Sequence, residues 1–166
     1  MKLANVMLMM VGLFAAFGAA QSAVLQLRVK CDDNPELQDQ YLVPLSDSRG
    51  TYTYVLPRAH DPFQLIDAAA VEYKSKVPKY GFLDYDSGMI PGLQFSLDEE
   101  DKQPGFTFNN DKFWTANGST SWYACRTEAL PITLTYPVVA HFKEVPVTKE
   151  EWSCEEIQIW YNKIEE

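Results

Sequence analysis

Short apolar and aromatic runs alternate with glycine, proline, asparagine and acidic residues along this chain, and they restrict its fold more than any other feature. From Tyr80 onward the runs are GFLDYDSG, LQFSL, GFTFNN, KFWTA, SWYAC, ITLTY, VVAHFK and EIQIWY. Each has the length of a strand, and the turn residues between them would interrupt a helix. The spacing predicts an all-β, single-domain sandwich or barrel of short antiparallel strands, with at most one or two short helical turns.

The first half of the chain carries less regular signals. AVLQLRVKC, from Ala23, alternates apolar and polar residues as a half-buried strand does. FQLIDAAAVEYKSKV, from Phe63, contains alanines that permit a helix, but its aromatic and branched residues favour two short strands around a turn. Near the end, Thr148 and Glu151 have the spacing of a capping box for one helical turn.

Residues 1–22 have the pattern of a secretory signal peptide. Lys2 is followed by an apolar run and then by small residues suited to a signal peptidase. We therefore expect residues 23–166 to form one β-rich extracellular domain. No second long apolar run follows, so no membrane span is expected.

The charge of the chain is strongly acidic. The formal net charge is −9, and loss of Lys2 with the signal makes it −10. Binding to nucleic acid or to anionic membrane surfaces is disfavoured, because lysine and arginine supply the affinity for phosphates. The acidity fits either solubility outside the cell or a cationic partner, and solubility is the simpler interpretation.

Three cysteines, Cys31, Cys125 and Cys154, remain after the signal. In an extracellular protein a disulfide is expected, and three single pairings are possible. We favour a bond between Cys125 and Cys154, which both lie in the aromatic C-terminal half and close a loop of moderate length. Cys31 is then either a buried apolar thiol or a partner for another molecule.

Motifs for catalysis or metal binding are lacking in this sequence. Its two histidines, His60 and His141, have no ligand spacing, and there is no GxSxG or glycine-rich phosphate loop. His141 is interpreted as a surface or partly buried strand residue. We expect no enzymatic activity, no catalytic residues, no metal and no cofactor.

Acidic residues are the other candidates for catalysis, since paired carboxylates can hydrolyse glycosides. With so many acidic side chains, any pair looks suggestive, and an acidic-site hydrolase is the weakest hypothesis. Asp84, Asp86 and Gly88 follow the order that begins a calcium loop, but Gln94 stands where the bidentate glutamate is needed. A structural turn is the preferred interpretation. The carboxylates considered are Asp84, Asp86, Glu99, Glu100, Glu128, Glu155 and Glu156.

Tryptophans are the main candidates for ligand binding. Rings that are exposed on a sheet can stack on sugars, whereas inward rings fill the core. Successive strand residues face opposite sides, so one member of each pair Trp122/Tyr123 and Trp160/Tyr161 leaves the core face. The candidate residues are Trp114, Trp122, Trp152 and Trp160.

The stretch NGSTSWYACR combines an N-glycosylation sequon at Asn117 with a predicted strand. If Ser119 and Thr120 lie in a hairpin turn, Asn117 is exposed. Trp122 would then share a face with Ala124, and Tyr123 with Cys125.

At these motifs the chain resembles a group of small secreted ascomycete proteins that share a domain of unknown function, and more distantly the PhiA-type fungal cell wall proteins. The shared elements are LQLRV, NPELQDQYLVPL, YGFLDYDSGMIPGL, FTFNNDKFWTANG, WYACRTEA and WSCEEIQIW, in this order. Residues 44–80 carry no matching motif. The resemblance implies a β-rich extracellular domain, a bond between Cys125 and Cys154, and a location in the fungal wall or the medium. It implies no catalytic residues.

We therefore expect a secreted, non-enzymatic fungal protein, either associated with the cell wall or released into the medium. Its partner would be a cell-wall polysaccharide or an extracellular protein. The first alternative is a carbohydrate-binding module that uses exposed tryptophans. The second is a small effector-like protein that binds a host protein through an exposed apolar patch.

Overall fold

The computed structural model of the chain describes residues 24–58, 63–66, 69–72, 77–144 and 152–163. This part is all-β, and two single 3-10 turns, Glu99–Asp101 and Pro131–Leu134, are its helical elements. The predicted all-β class with short helical turns is confirmed. The strands are β1 (Val24–Lys30), β2 (Tyr41–Asp47), β3 (Gly50–Leu56), β4 (Phe63–Ile66), β5 (Ala69–Glu72), β6 (Tyr80–Leu83), β7 (Leu93–Ser96), β8 (Phe106–Phe108), β9 (Trp114–Ala116), β10 (Trp122–Thr127), β11 (Val138–His141) and β12 (Trp152–Lys163).

Ten of these strands form one antiparallel sheet. In two of them, β1 and β3, one side of the strand pairs with two different strands along its length. The order is β11-β10-β12-β1-β2-β3-β7-β6-β5-β4. One edge of β1 pairs with β4 near Leu25 and with β2 at Arg28. The outer edge of β3 pairs with β7 near Tyr52 and with β11 at Tyr54. Through these extra pairings β11 and β4, the two terminal strands of the order, are also hydrogen-bonded to strands inside it, so the described strands form closed circuits.

Strand β1 follows the predicted alternation from Leu25 onward, whereas Val24 at its start is also buried. Leu25, Leu27 and Val29 point into the core, while Arg28 and Lys30 lie on the outer face and are only half-buried. The segment from Phe63 that could have formed a helix contains the two predicted strands, β4 and β5, which pair with each other.

The remaining two strands, β8 and β9, form a small separate hairpin. Beyond β9 the chain turns back at Asn117 and Gly118, whose φ angles are 51° and 79°. Ala116 and Ser119 exchange both backbone hydrogen bonds at 3.0 Å. This is a two-residue turn of type I′, for which Asn-Gly is a preferred pair. The predicted turn is therefore real but is centred two residues before Ser119 and Thr120.

Two apolar clusters stabilise the domain. The larger fills the space between β1, β10, β12 and the β8-β9 hairpin. The smaller lies on the opposite face of β10 and β11, where Leu130 and Phe142 cover Val138 and Ala140. Cys125 belongs to this second cluster and forms the predicted disulfide with Cys154, its direct cross-strand neighbour.

Several predictions fall outside the described residues: the signal peptide at 1–22, His60, and the helical turn at Thr148 and Glu151. Among the residues that are described, no helix is long and apolar enough to cross a bilayer.

Candidate binding face

Trp114 and Trp122 lie in the larger core cluster and are completely buried. Their rings stack almost in parallel, with centroids 4.9 Å apart and an interplanar angle of 5°. Trp122 Nε1 donates a hydrogen bond to the carbonyl of Trp114 at 2.9 Å, and Phe106 stacks on the far side of Trp114. The prediction that these two tryptophans present a ligand-binding surface is wrong, because long-range packing of the β8-β9 hairpin covers both rings.

Trp152 is half-buried at the start of β12. Its ring lies 6.2 Å from that of Phe142, so it packs against the second cluster rather than standing clear of the sheet. Trp152 and Trp160 share one face of the strand but are eight residues apart, which corresponds to roughly 27 Å of extended chain. They therefore do not form the expected flat row.

Trp160 is the remaining candidate, and it lies at one end of a row of three side chains on the outer face of the sheet. In the register of the sheet Trp160 is opposite Arg28, and Arg28 is opposite Tyr41. The Arg28 guanidinium carbon lies 5.3 Å from the Trp160 ring centroid and 5.0 Å from the Tyr41 centroid. All three side chains are half-buried. We call Tyr41, Arg28 and Trp160, which span β2, β1 and β12, the Trp160 face.

Arg28 is held in place between the two rings. Its Nε and Nη2 donate to the carbonyl of Asp39 at 3.3 and 3.0 Å, and Asp39 Oδ1 lies 3.7 Å from Nη2. Asp39 itself has a left-handed backbone, with φ of 62°. Stacking on aromatic rings and forked hydrogen bonds are both properties of the planar guanidinium. The Arg28 side chain is therefore fixed by contacts within the protein.

Polar side chains border the Trp160 face on both sides. Gln26 pairs with Asn162 one row away, and Lys30 pairs with Gln158 one row away in the other direction. Amide and ammonium groups thus flank the row on both sides.

Searches of protein-family models, curated proteins and solved structures returned no match for this chain.

The sequence prediction named Trp160 but missed Arg28 and Tyr41. The outward position of Arg28 in the alternating β1 pattern was the one signal in the sequence that pointed to this row. The register that joins the three residues connects distant parts of the chain, so a local pattern does not reveal it.

His141 is a core residue with both ring nitrogens hydrogen-bonded. Nδ1 lies 2.7 Å from the hydroxyl of Tyr85, and Nε2 lies 3.3 Å from the carbonyl of Ser119. A carbonyl can only accept, so Nε2 carries the hydrogen and Nδ1 accepts from Tyr85. Burial raises the pKa of Tyr85 to about 12 and lowers the pKa of His141 below 6.5, although the Ser119 carbonyl opposes the latter shift. His141 is indeed a strand residue, but it is buried rather than partly exposed.

We expect the stability of the protein to fall in mild acid because of His141. The unfolded chain binds this proton near pH 6.5, whereas the folded chain binds it at lower pH. The contribution of neutral His141 to the free energy of unfolding is therefore fully present above pH 6.5. It is lost as the pH falls through the folded pKa, with a slope of at most about 1.4 kcal/mol per pH unit. Urea unfolding between pH 7.5 and 5 (roughly the window set by the pKa of histidine) measures this slope. His141→Gln should have a flatter profile than the native chain, and an identical slope would contradict the prediction.

Asp84, one of the candidate catalytic carboxylates, has a structural role in a turn. Asp84 Oδ1 accepts hydrogen bonds from the backbone N–H groups of Asp86 and Ser87, which makes an Asx turn. Asp98 caps the 3-10 turn Glu99–Asp101 by accepting from the N–H of Glu100. In the described part of the chain no three His, Cys, Asp or Glu side chains are grouped as metal ligands would be.

A small cavity of about 30 Å³ lies beside β10 and β12. Its volume suffices for a water molecule but is far below the roughly 300 Å³ of the smallest typical ligand sites. The cavity is therefore not a candidate for substrate binding. Its lining is formed by Leu37, Ala124, Arg126, Pro137, Ser153 and Glu155.

Proposed function

We propose that this chain is a secreted, non-enzymatic fungal protein that binds neutral cell-wall polysaccharide through the Trp160 face. The observation that carries the proposal is the row Tyr41, Arg28 and Trp160 across three paired strands, with amide side chains at the adjacent register positions. An aromatic ring bordered by hydrogen-bonding groups provides both apolar and polar contacts for a sugar.

The charge of the face favours a neutral polymer. Arg28 is paired with Asp39 at 3.7 Å, and Lys30 lies 3.9 Å from Asp32. The two cations are thus compensated locally, and the chain as a whole carries an excess of acidic residues. The net negative charge of the chain would repel an anionic polysaccharide. Among the described residues of the face, no uncompensated basic group would offset this repulsion.

A non-enzymatic role is supported by the state of His141. Both ring nitrogens are occupied by groups of the protein core, and the exposed fraction of the residue is only 2%. A general base must reach the proton that it removes from a substrate. His141 is instead part of the packing between Tyr85 and Trp122.

The proposal predicts that Trp160→Ala weakens binding to insoluble β-glucan or chitin at least about tenfold, equivalent to about 1.4 kcal/mol, because the stacking surface is lost. Arg28→Lys should also weaken binding, since an ammonium group cannot form the forked bonds or stack in the same way. The measurement is a depletion isotherm with the purified protein on each polymer, accompanied by a thermal melt of every variant.

Trp152→Ala is the matched control, because it removes a half-buried tryptophan from the other end of the same strand. It should bind as the native chain does. Equal binding by native protein and folded Trp160→Ala would refute the assignment to this face. No retention of the native protein on any wall polymer would refute the polysaccharide function.

A further inference from the structure

The turn at Asn117 and Gly118 forms the apex of a hairpin and coincides with the one N-x-S/T tripeptide of the chain, Asn117-Gly118-Ser119. We propose that Asn117 carries an N-linked glycan. Its side-chain amide nitrogen forms a C–N bond to the sugar and loses a proton, while the bond between the sugar and the pyrophosphate of a lipid-linked oligosaccharide donor breaks and the lipid pyrophosphate leaves. This inference rests on the proposed secreted location, because the attachment takes place in the secretory pathway.

The apex is open to solvent. Asn117 and Gly118 are both exposed, and a Cβ added at Gly118 would meet no atom within 4 Å. The backbone is nevertheless well fixed, since Ala116 and Ser119 exchange two hydrogen bonds and the N–H of Asn117 donates to the carbonyl of Gly105 at 2.9 Å. A glycan on this turn would have space without disturbing the core.

The absence of a side chain at Gly105 also leaves room for the side-chain amide of Asn117. A Cβ placed at Gly105 would overlap Oδ1 of Asn117 and would lie 3.2 Å from its Cγ, whereas Nδ2 is not among the three closest atoms. The Asn117 side chain therefore occupies the space beside the Gly105 backbone that a larger residue would fill. Nδ2, the atom to which the sugar is joined, belongs to a residue that is exposed at the apex of the turn.

An Asn-Gly pair is favoured in a type I′ turn whether or not the asparagine is glycosylated. The test therefore needs variants that keep the turn but remove the glycan acceptor. Asp-Gly is also favoured in type I′ turns. Asn117→Asp therefore keeps the hairpin and removes the acceptor nitrogen. Ser119→Thr keeps the sequon, and Ser119→Ala removes it while Asn117 stays in place.

The test is expression of the full chain in a fungal secretory host, followed by intact mass measurement before and after treatment with peptide N-glycosidase. We expect the native chain and Ser119→Thr to lose a discrete mass on treatment. Asn117→Asp and Ser119→Ala should be secreted at the mass of the bare polypeptide, with unchanged thermal melts after deglycosylation.

A native chain that is secreted at the bare polypeptide mass would overturn the glycan alone and leave the polysaccharide proposal standing. A chain that stays in the cell with residues 1–22 still attached would overturn the glycan together with the secreted location. Loss of polymer binding in Trp160→Ala is measured on the deglycosylated protein, so it is independent of both outcomes.

Discussion

Trp122→Ala is expected to lower the free energy of unfolding by about 3 to 5 kcal/mol, because truncation of a buried tryptophan leaves a large cavity. Trp122 is fully buried between the rings of Trp114 and His141, with centroids 4.9 Å away in both cases. A loss of this size is a large part of the total stability of a typical domain. Chemical denaturation of the purified variant measures it, and Trp160→Ala, half-buried on the outer face, should lose much less.

A finer comparison separates the ring of Trp122 from its hydrogen bond. Trp122 Nε1 donates to the Trp114 carbonyl, whereas Trp114 Nε1 is buried with no hydrogen-bond partner among the described residues. Trp122→Phe and Trp114→Phe remove similar volume, but only the first breaks a bond. We expect Trp122→Phe to cost about 1 to 3 kcal/mol more. Equal losses for the two variants would show that the bond contributes nothing to stability.

Removal of the disulfide is expected to cost about 3 to 4 kcal/mol, the value for a loop of this length in the chain-entropy model. The bond joins Cys125 and Cys154, which are separated by 29 positions and lie directly opposite each other on β10 and β12. The double variant Cys125→Ala/Cys154→Ala keeps the buried position of Cys125 apolar. Its thermal midpoint should fall by several degrees, and added reductant should have no further effect on it.

Cys31→Ala provides the control, because Cys31 is a free buried thiol. This variant should keep the sensitivity of the native chain to reductant. The prediction fails if alkylation of the unreduced, denatured protein labels three thiols, or if reduction leaves the native midpoint unchanged.

Features that depend on neighbouring residues could be predicted from the sequence. The alternation of β1, the two strands from Phe63 and the opposite directions of Trp122 and Tyr123 all follow from the geometry of an extended chain. The cysteine pair was predicted from its position in the aromatic half, and the structure contains that bond.

The face on which each tryptophan lies could not be predicted in this way. In the pair Trp122/Tyr123 the tryptophan points inward, whereas in Trp160/Tyr161 it points outward and Tyr161 packs on Phe108 with centroids 4.3 Å apart. The difference arises from register: Trp122 is opposite the buried Ile157, and Trp160 lies three positions further along β12. Register between distant strands is set by long-range packing, which a local pattern does not contain.

Burial of His141 was missed for a related reason. Its strand, β11, has a second apolar cluster on its other face, so all four of its residues are buried rather than alternate ones. An alternating pattern shows which face of a strand is solvated, but this holds only for a sheet that has water on one side.

The pairing of β1 with β12 has a consequence for the order in which the chain can fold. Val29 is opposite Ile159, so the first described strand completes its pairing only with the last. Contacts of such high sequence separation slow folding, because the entropy of closing the long loop between the two segments is lost before the contacts stabilise it. During synthesis the ribosome releases β1 long before β12, and the N-terminal strands must wait with their apolar faces exposed. We expect refolding on the timescale of milliseconds to seconds that is typical of β-rich domains with non-local pairing, and a nascent chain that depends on chaperones until its final strand emerges.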